Sequence, residues 1–244
     1  MQVVTESMKD VALPAEAVTF YARALADNRL DAVTRNNMAQ ALHNQTRKDP
    51  ERWRGFLALL DDPKQDRGWR VFCLQHLTMS CAYTGEEGRR ATKKRLLREA
   101  RQGEPDFAAR AVIMLDSFQR SSYGSVPELD DLIATNLENP KADDLMKISV
   151  LGVMGSRGDT RHLPTVRRLA RTPGPAQRVA VATLGRIGDK SDIALLESLE
   201  PEPGSLLEAA IRGALKRLRE KEAQTRQEAR TRQHPRTHQE TNTP

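Results

Sequence analysis

The chain repeats itself. Val150-Leu151-Gly152-Val153-Met154-Gly155 returns as Thr183-Leu184-Gly185-Arg186-Ile187-Gly188, offset by 33 residues. The residues after each copy also match. Gly158-Asp159 with Leu163, Val166 and Leu169 corresponds to Gly188-Asp189 with Ile193, Leu196 and Leu199, now offset by 30. The difference is Ser156-Arg157-Gly158, three residues added to one turn. Weaker echoes centre helices near Leu42, Leu77 and Leu115. A period of this size means one supersecondary unit used several times, each burying its apolar face against its neighbours.

The unit is helical. Apolar residues recur at i, i+3, i+4 and i+7, whereas alternating β-branched and polar residues and Asn-Gly or Asp-Gly hairpin turns are missing. Breakers such as Asp49-Pro50, Asp62-Pro63, Gly103-Glu104-Pro105, Asn139-Pro140, Pro173-Gly174-Pro175 and Pro201 to Gly204 cut the chain into short pieces. The pattern predicts twelve helices: 15–27, 31–46, 50–61, 66–83, 87–102, 105–120, 126–138, 141–155, 160–171, 175–187, 191–199 and 204–221. Short links make neighbours antiparallel, so these pair into six hairpins. Only 4% of residues are aromatic, so Leu, Ala, Val, Ile and Met must build the core. After about Glu222 the chain is rich in Arg, Gln and Thr and has no Leu, Ile, Val or Phe, which predicts a disordered polar tail over 223–244 behind a folded region 1–222.

The segment RVAVATLGRIGDKSDIALLESL resembles one unit of the HEAT-like repeat family, in the bacterial form shared with phycobilisome lyase subunits. The resemblance is good over 141–200 and degenerate before it. It implies an all-α fold, an α-solenoid wound as a right-handed superhelix of about six HEAT-like hairpins, with the second helix of each pair on the concave, partner-binding face. In that role Gly185 allows close helix approach, Gly188 is expected in a left-handed helix end, and Asp189 caps the following helix. The family's fold is nearly silent on function, because scaffolds, nucleic-acid binders and lyase subunits all use it.

Candidate chemistry is sparse. Cys73 and His76 form an i, i+3 pair that could offer two metal ligands, but Cys81 points elsewhere and Trp69, Phe72, Leu74, Leu77, Met79 and Tyr83 make this a buried helix instead. The two cysteines are about 12 Å apart along one helix, too far for a disulfide. His43, His76, His162, His234 and His238 sit in no Ser/His/Asp or Cys/His signature. The carboxylates Glu128, Asp130, Asp131, Asp143 and Asp144 suit helix N-termini, and Arg157-Gly158-Asp159 is a turn between helices. No phosphate-binding loop or metalloprotease motif occurs. The expectation is a non-enzymatic protein without cofactor or metal.

Charge is the surface feature with content. The formal net charge is +6, concentrated in 89–101 and 157–190, with acidic stretches at 128–144 and 192–208. On a helical wheel Leu96, Leu97 and Ala100 face inward, and Arg90, Lys94, Arg98 and Arg101 share the outer side. These four, with Arg178 and Arg186, are the candidate partner-binding residues; the alternative is a solvated face. The favoured function is a protein–protein interaction scaffold or adaptor with an acidic protein partner. The second reading is nucleic-acid binding, as in the HEAT-like alkylpurine DNA glycosylases, and a bilin-lyase-type subunit is the third. The start, MQVVTESMKDVALPAEA, has neither a basic n-region nor an apolar stretch, and the uncharged run 71–85 is too short for a bilayer. This predicts a cytoplasmic protein without membrane insertion.

Overall fold

The computed structural model describes residues 13–45, 49–139 and 141–233, with the backbone alone over 229–233. Among them are twelve α-helices and no strand: α1 (Ala15–Ala24), α2 (Ala32–His43), α3 (Arg52–Asp61), α4 (Arg67–Ser80), α5 (Glu86–Gln102), α6 (Pro105–Arg120), α7 (Glu128–Glu138), α8 (Asp144–Arg157), α9 (Leu163–Arg171), α10 (Gln177–Ile187), α11 (Ser191–Glu197) and α12 (Leu206–Gln233). Each is a helix expected from the sequence, with ends displaced by a few residues except at the C-terminal end of α12. No helix among the described residues is long and apolar enough to cross a membrane.

The helix starts follow local chemistry. Asp31 accepts a hydrogen bond from the Thr34 amide at 2.9 Å, and Asp66 one from the Trp69 amide at 2.9 Å, so two otherwise orphaned amides are satisfied. Pro105 opens α6 in the first turn, where its missing N–H costs nothing. Glu128, Asp130 and Asp131 fill the first turn of α7, complementing its dipole.

The chain divides into two compact units, 1–150 and 151–244, with the boundary inside α8. In the first unit α1 packs on α2, α3 on α4 and α5 on α6, while α2, α4 and α6 also pack on one another in succession. The second helices of three hairpins therefore form a row, and the middle one, α4, is packed on both sides. Trp69, Cys73, Leu74 and Leu77 are all fully buried there, each large apolar side chain contributing about 1.5–3 kcal/mol by leaving water. In the second unit α9 packs on α10 and α11 on α12, and α10 packs on α12. The same rule thus holds in both units.

One glycine assignment needs correction. Gly188 ends α10 in extended backbone (φ −70°, ψ −180°) rather than in the left-handed region. A side chain is excluded there by contact: a Cβ would stand 2.5 Å from the Leu184 carbonyl oxygen and 2.6 Å from Asp192 Oδ2. The left-handed position belongs to Gly158 (φ 67°), where the Asp159 amide donates back to the Met154 carbonyl at 3.1 Å, the closing bond of a Schellman turn. The three added residues of the first repeat copy make that turn.

The second difference lies at the C-terminus. The segment from 223, expected to be a disordered tail, enters α12, which runs to Gln233; positions 234–244 lie outside the described residues. Charged contacts hold α12 just before this segment, and one lies within it. Lys221 Nζ donates to the Gly188 carbonyl at 2.9 Å, Arg219 pairs with Glu197 at 2.6 Å, and Arg226 pairs with Glu222 one turn away at 2.7 Å. Ala, Glu, Gln, Lys and Arg are also strong helix formers, so the helix continues after its apolar stripe has ended.

Candidate binding site

The site rests on α5. Its seventeen residues are mostly charged, and one narrow stripe, Gly88, Thr92, Leu96 and Ala100, is buried at the spacing of successive turns. Gly88 sets the approach of the first turn, since a Cβ there would meet Trp53 Nε1 at 2.9 Å. Gly85 caps the helix with no side-chain hydrogen bond, which leaves first-turn amides unsatisfied by side chains.

All four candidates on α5, Arg90, Lys94, Arg98 and Arg101, are exposed. Arg178 and Arg186 are exposed too, but they belong to α10 in the second unit. The Arg186 stem lies across Gly155 of α8, where a Cβ would meet its Cδ at 3.2 Å.

Ion pairs engage several of the cations, most of which stay exposed. Arg95 is buried and bonds Asp61 and Glu99, the latter at 2.7 Å; Arg98 shares the same Asp61 at 3.4 Å. Arg90 pairs with Glu86 at 2.5 Å. Arg167 grips Asp192 at 2.6 Å and Asp189 at 3.3 Å, and Arg161 bonds Asp159 at 2.6 Å. Asp189 accepts the Ser191 amide at 2.7 Å in the turn leading into α11, whose N-cap position is Lys190 rather than Asp189. Its carboxyl is held below the usual range by Ser191, with Arg167 adding to the effect.

At the N-terminal end of α5 a cavity of about 430 Å³ opens, lined by Arg89, Arg90 and Lys93 on one side and Phe118 and Tyr123 on the other. A Schellman turn places the tyrosine. After α6, the Ser122 amide donates to Gln119 and the Tyr123 amide to Phe118 at 3.1 Å, with Ser122 in the left-handed region at φ 58°. Tyr123 then packs edge-on against Phe118, ring centroids 5.8 Å apart, the apolar contact typical of such a turn. Arg89 lies over the Tyr123 ring at 5.6 Å and donates Nε to the Cys81 carbonyl at 3.1 Å. Lys93 donates to the Ser125 carbonyl at 2.8 Å and pairs with Glu128 at 3.2 Å. Hydrogen bonding to its own backbone amide holds the Glu128 carboxyl below the usual range, and Lys93 reinforces this. Tyr123 also lines a second cavity, about 280 Å³, together with Gln75, Thr78, Met79, Met114, Ser117 and Ser121. None of its lining side chains carries a charge.

Sequence reasoning named Arg90 as a partner-binding candidate on the outer basic face, without the cavity that it also lines. It also counted Arg89 and Lys93 in the basic stretch but did not single them out, and it missed Tyr123 altogether. A signal existed in Ser121-Ser122-Tyr123-Gly124, a helix end with an aromatic at the position that folds back.

The remaining sequence candidates are structural. His76 is fully buried, with Nε2 3.1 Å from Asn36 Oδ1 and its ring stacked on His43 and Phe56 at 5.3 and 5.2 Å. Burial pushes its pKa down to about 3. Burial likewise raises the Cys73 thiol to about 12, so it is a poor ligand and a poor nucleophile at neutral pH. His43 Nδ1 lies 2.7 Å from the Tyr83 hydroxyl. Trp53 and Trp69 are both buried. No model of a known protein family matches the chain, and no curated protein matches it.

Proposed function

We propose that the protein is an interaction scaffold, an α-solenoid of HEAT-like hairpins that captures an acidic protein partner through the basic face of α5. The observation that carries this reading is the row Arg90, Lys94 and Arg98, one turn apart, with Arg101 beyond it, all solvent-facing on a helix whose opposite stripe is buried. A helix that spends so many cations on one face attracts acidic surfaces and speeds encounter with them. The hairpin rows within each unit support the repeat reading, since each second helix packs on the next. Nucleic-acid binding remains the second reading in rank: the buried Trp53 and Trp69 offer no stacking face to a base, and the acidic side chains that pair with many of the arginines would repel a phosphate backbone.

Affinity capture with the whole chain tests the proposal. Lys94→Glu with Arg101→Glu should abolish capture of a protein partner while shifting stability by no more than ~0.5 kcal/mol per site, as exposed charges do. Capture should weaken moderately with salt and keep an apolar remainder. Undiminished capture by the doubly reversed protein would return these residues to a solvated face. Tight, sequence-independent binding of duplex nucleic acid with a steep salt slope, lost in the same variant, would promote the second reading.

A further inference from the structure

The two cavities of the first unit meet at one residue, Tyr123, which lines both. Their linings differ in kind. One is cationic, with Arg89, Arg90 and Lys93 against two carboxylates, Glu86 in its lining engaged by Arg90 and Glu128 paired with Lys93 at 3.2 Å. The other is neutral, with Met79 and Met114 as its apolar surface and Gln75, Ser117 and Ser121 as hydrogen-bonding groups. Among the described residues Arg89 makes one side-chain hydrogen bond, through Nε to the Cys81 carbonyl, which leaves its other guanidinium N–H groups as donors for an incoming anion. The first-turn amides of α5, capped by no side chain, add partial positive charge at the same end.

We propose that this pair of cavities is a peptide-binding groove that takes an extended segment of a partner protein, with an Asp or Glu side chain in the cationic cavity and a neighbouring Leu, Ile or Met side chain in the methionine-lined one. The proposal rests on the scaffold reading and supplies its specificity. Charge complementarity selects the acidic residue. Met79 and Met114, flexible and polarisable, adapt to an aliphatic side chain of varied shape. Gln75, Ser117 and Ser121 offer donors and acceptors to peptide amides, which a purely ionic ligand would leave unused. Tyr123 lines both cavities, so one residue contacts both neighbouring side chains of the peptide. A mononucleotide or a free phosphate would fill the cationic cavity alone and leave the second without an occupant.

Selection of a random twelve-residue peptide display library on the whole protein tests this directly. The expected outcome is enrichment of peptides with Asp or Glu a few residues from Leu, Ile or Met. Labelled copies of the enriched peptides should bind in fluorescence anisotropy and bind at least fivefold more weakly to Lys93→Gln and to Met79→Gln, both half-buried positions where the fold tolerates a polar chain. Melting curves confirm that each variant is folded. Enrichment without an acidic residue, no enrichment over the bare support, or equal affinity for both variants overturns the groove. So does displacement of the peptide by millimolar inorganic phosphate as readily as by unlabelled peptide, which would mark a simple anion site. The Lys94→Glu, Arg101→Glu protein separates the two claims, because both positions lie outside the cavities. If it loses its partner while the cavity variants bind peptide normally, the groove fails and the scaffold stands. If it captures its partner as the wild type does while the cavity variants lose peptide, the broader basic-face reading fails and the groove stands.

Discussion

Gly152 and Gly185 occupy the same place in the repeat, yet alanine should act on them in opposite directions. A Cβ at Gly185 would stand 2.6 Å from Ala214 Cα and 2.8 Å from Ala214 Cβ, where α10 crosses α12. Carbon atoms in contact prefer about 3.5–4.0 Å, so the two helices must part by about 1 Å along the principal contact of the second unit. Overpacking of this kind costs about 1–3 kcal/mol, and the obstacle is partly backbone, which cannot rotate away. Replacing a mid-helix glycine returns only about 0.5–1 kcal/mol of chain entropy. Gly185→Ala should therefore lose a net ~1–2 kcal/mol. At Gly152 no described atom lies within 4 Å of the same Cβ, the entropy term stands alone, and Gly152→Ala should gain ~0.5–1 kcal/mol. Urea unfolding monitored by circular dichroism reads both changes as displaced midpoints at a common slope. Equal shifts of the same sign would refute the argument, because local helix propensity would then be the whole effect and the α10–α12 contact would have yielded freely.

The buried groups and the turn after α6 give three further expectations. His76 has a folded pKa of about 3 against the usual 6.5; between these values the unfolded chain binds a proton that the folded one does not, so stability falls as the pH drops below 6.5, by about 2 kcal/mol at pH 5, and His76→Gln should flatten unfolding free energies measured between pH 7 and 5. Ser122 holds a left-handed φ of 58° without being glycine, so Ser122→Gly should raise stability by ~0.5–1 kcal/mol in the same urea assay, and a loss would show that the serine side chain secures the turn. Cys73 and Cys81 are free, buried and raised in pKa by burial, so neither should react with iodoacetamide at pH 8 until urea unfolds the chain; rapid labelling of the folded protein would contradict the packing of α4.

Periodicity alone made twelve helices legible, because a helix needs only an apolar stripe at turn spacing and a breaker on either side. The same local reading placed Asp189 in the turn leading into α11 and put Arg90, Lys94, Arg98 and Arg101 on an outer face. What local pattern cannot register is the neighbour. Gly152 and Gly185 look alike in sequence and differ only because α12 passes over one of them. Arg95 and Arg167 read as surface cations until Asp61, Glu99, Asp189 and Asp192 arrive from other turns and helices to pair with them. The polar end of α12 reads as a tail because apolar content was the criterion, whereas strong helix formers and a one-turn pair, Arg226 with Glu222, carry the helix on. Tyr123 becomes part of a site only when its turn folds back against Phe118 beneath α5. The sequence determined the elements, whose hydrogen bonds close within a few residues; tertiary structure decided which cations stay free and where the cavities lie, because charge pairing and steric exclusion depend on distances in space that no single segment encodes.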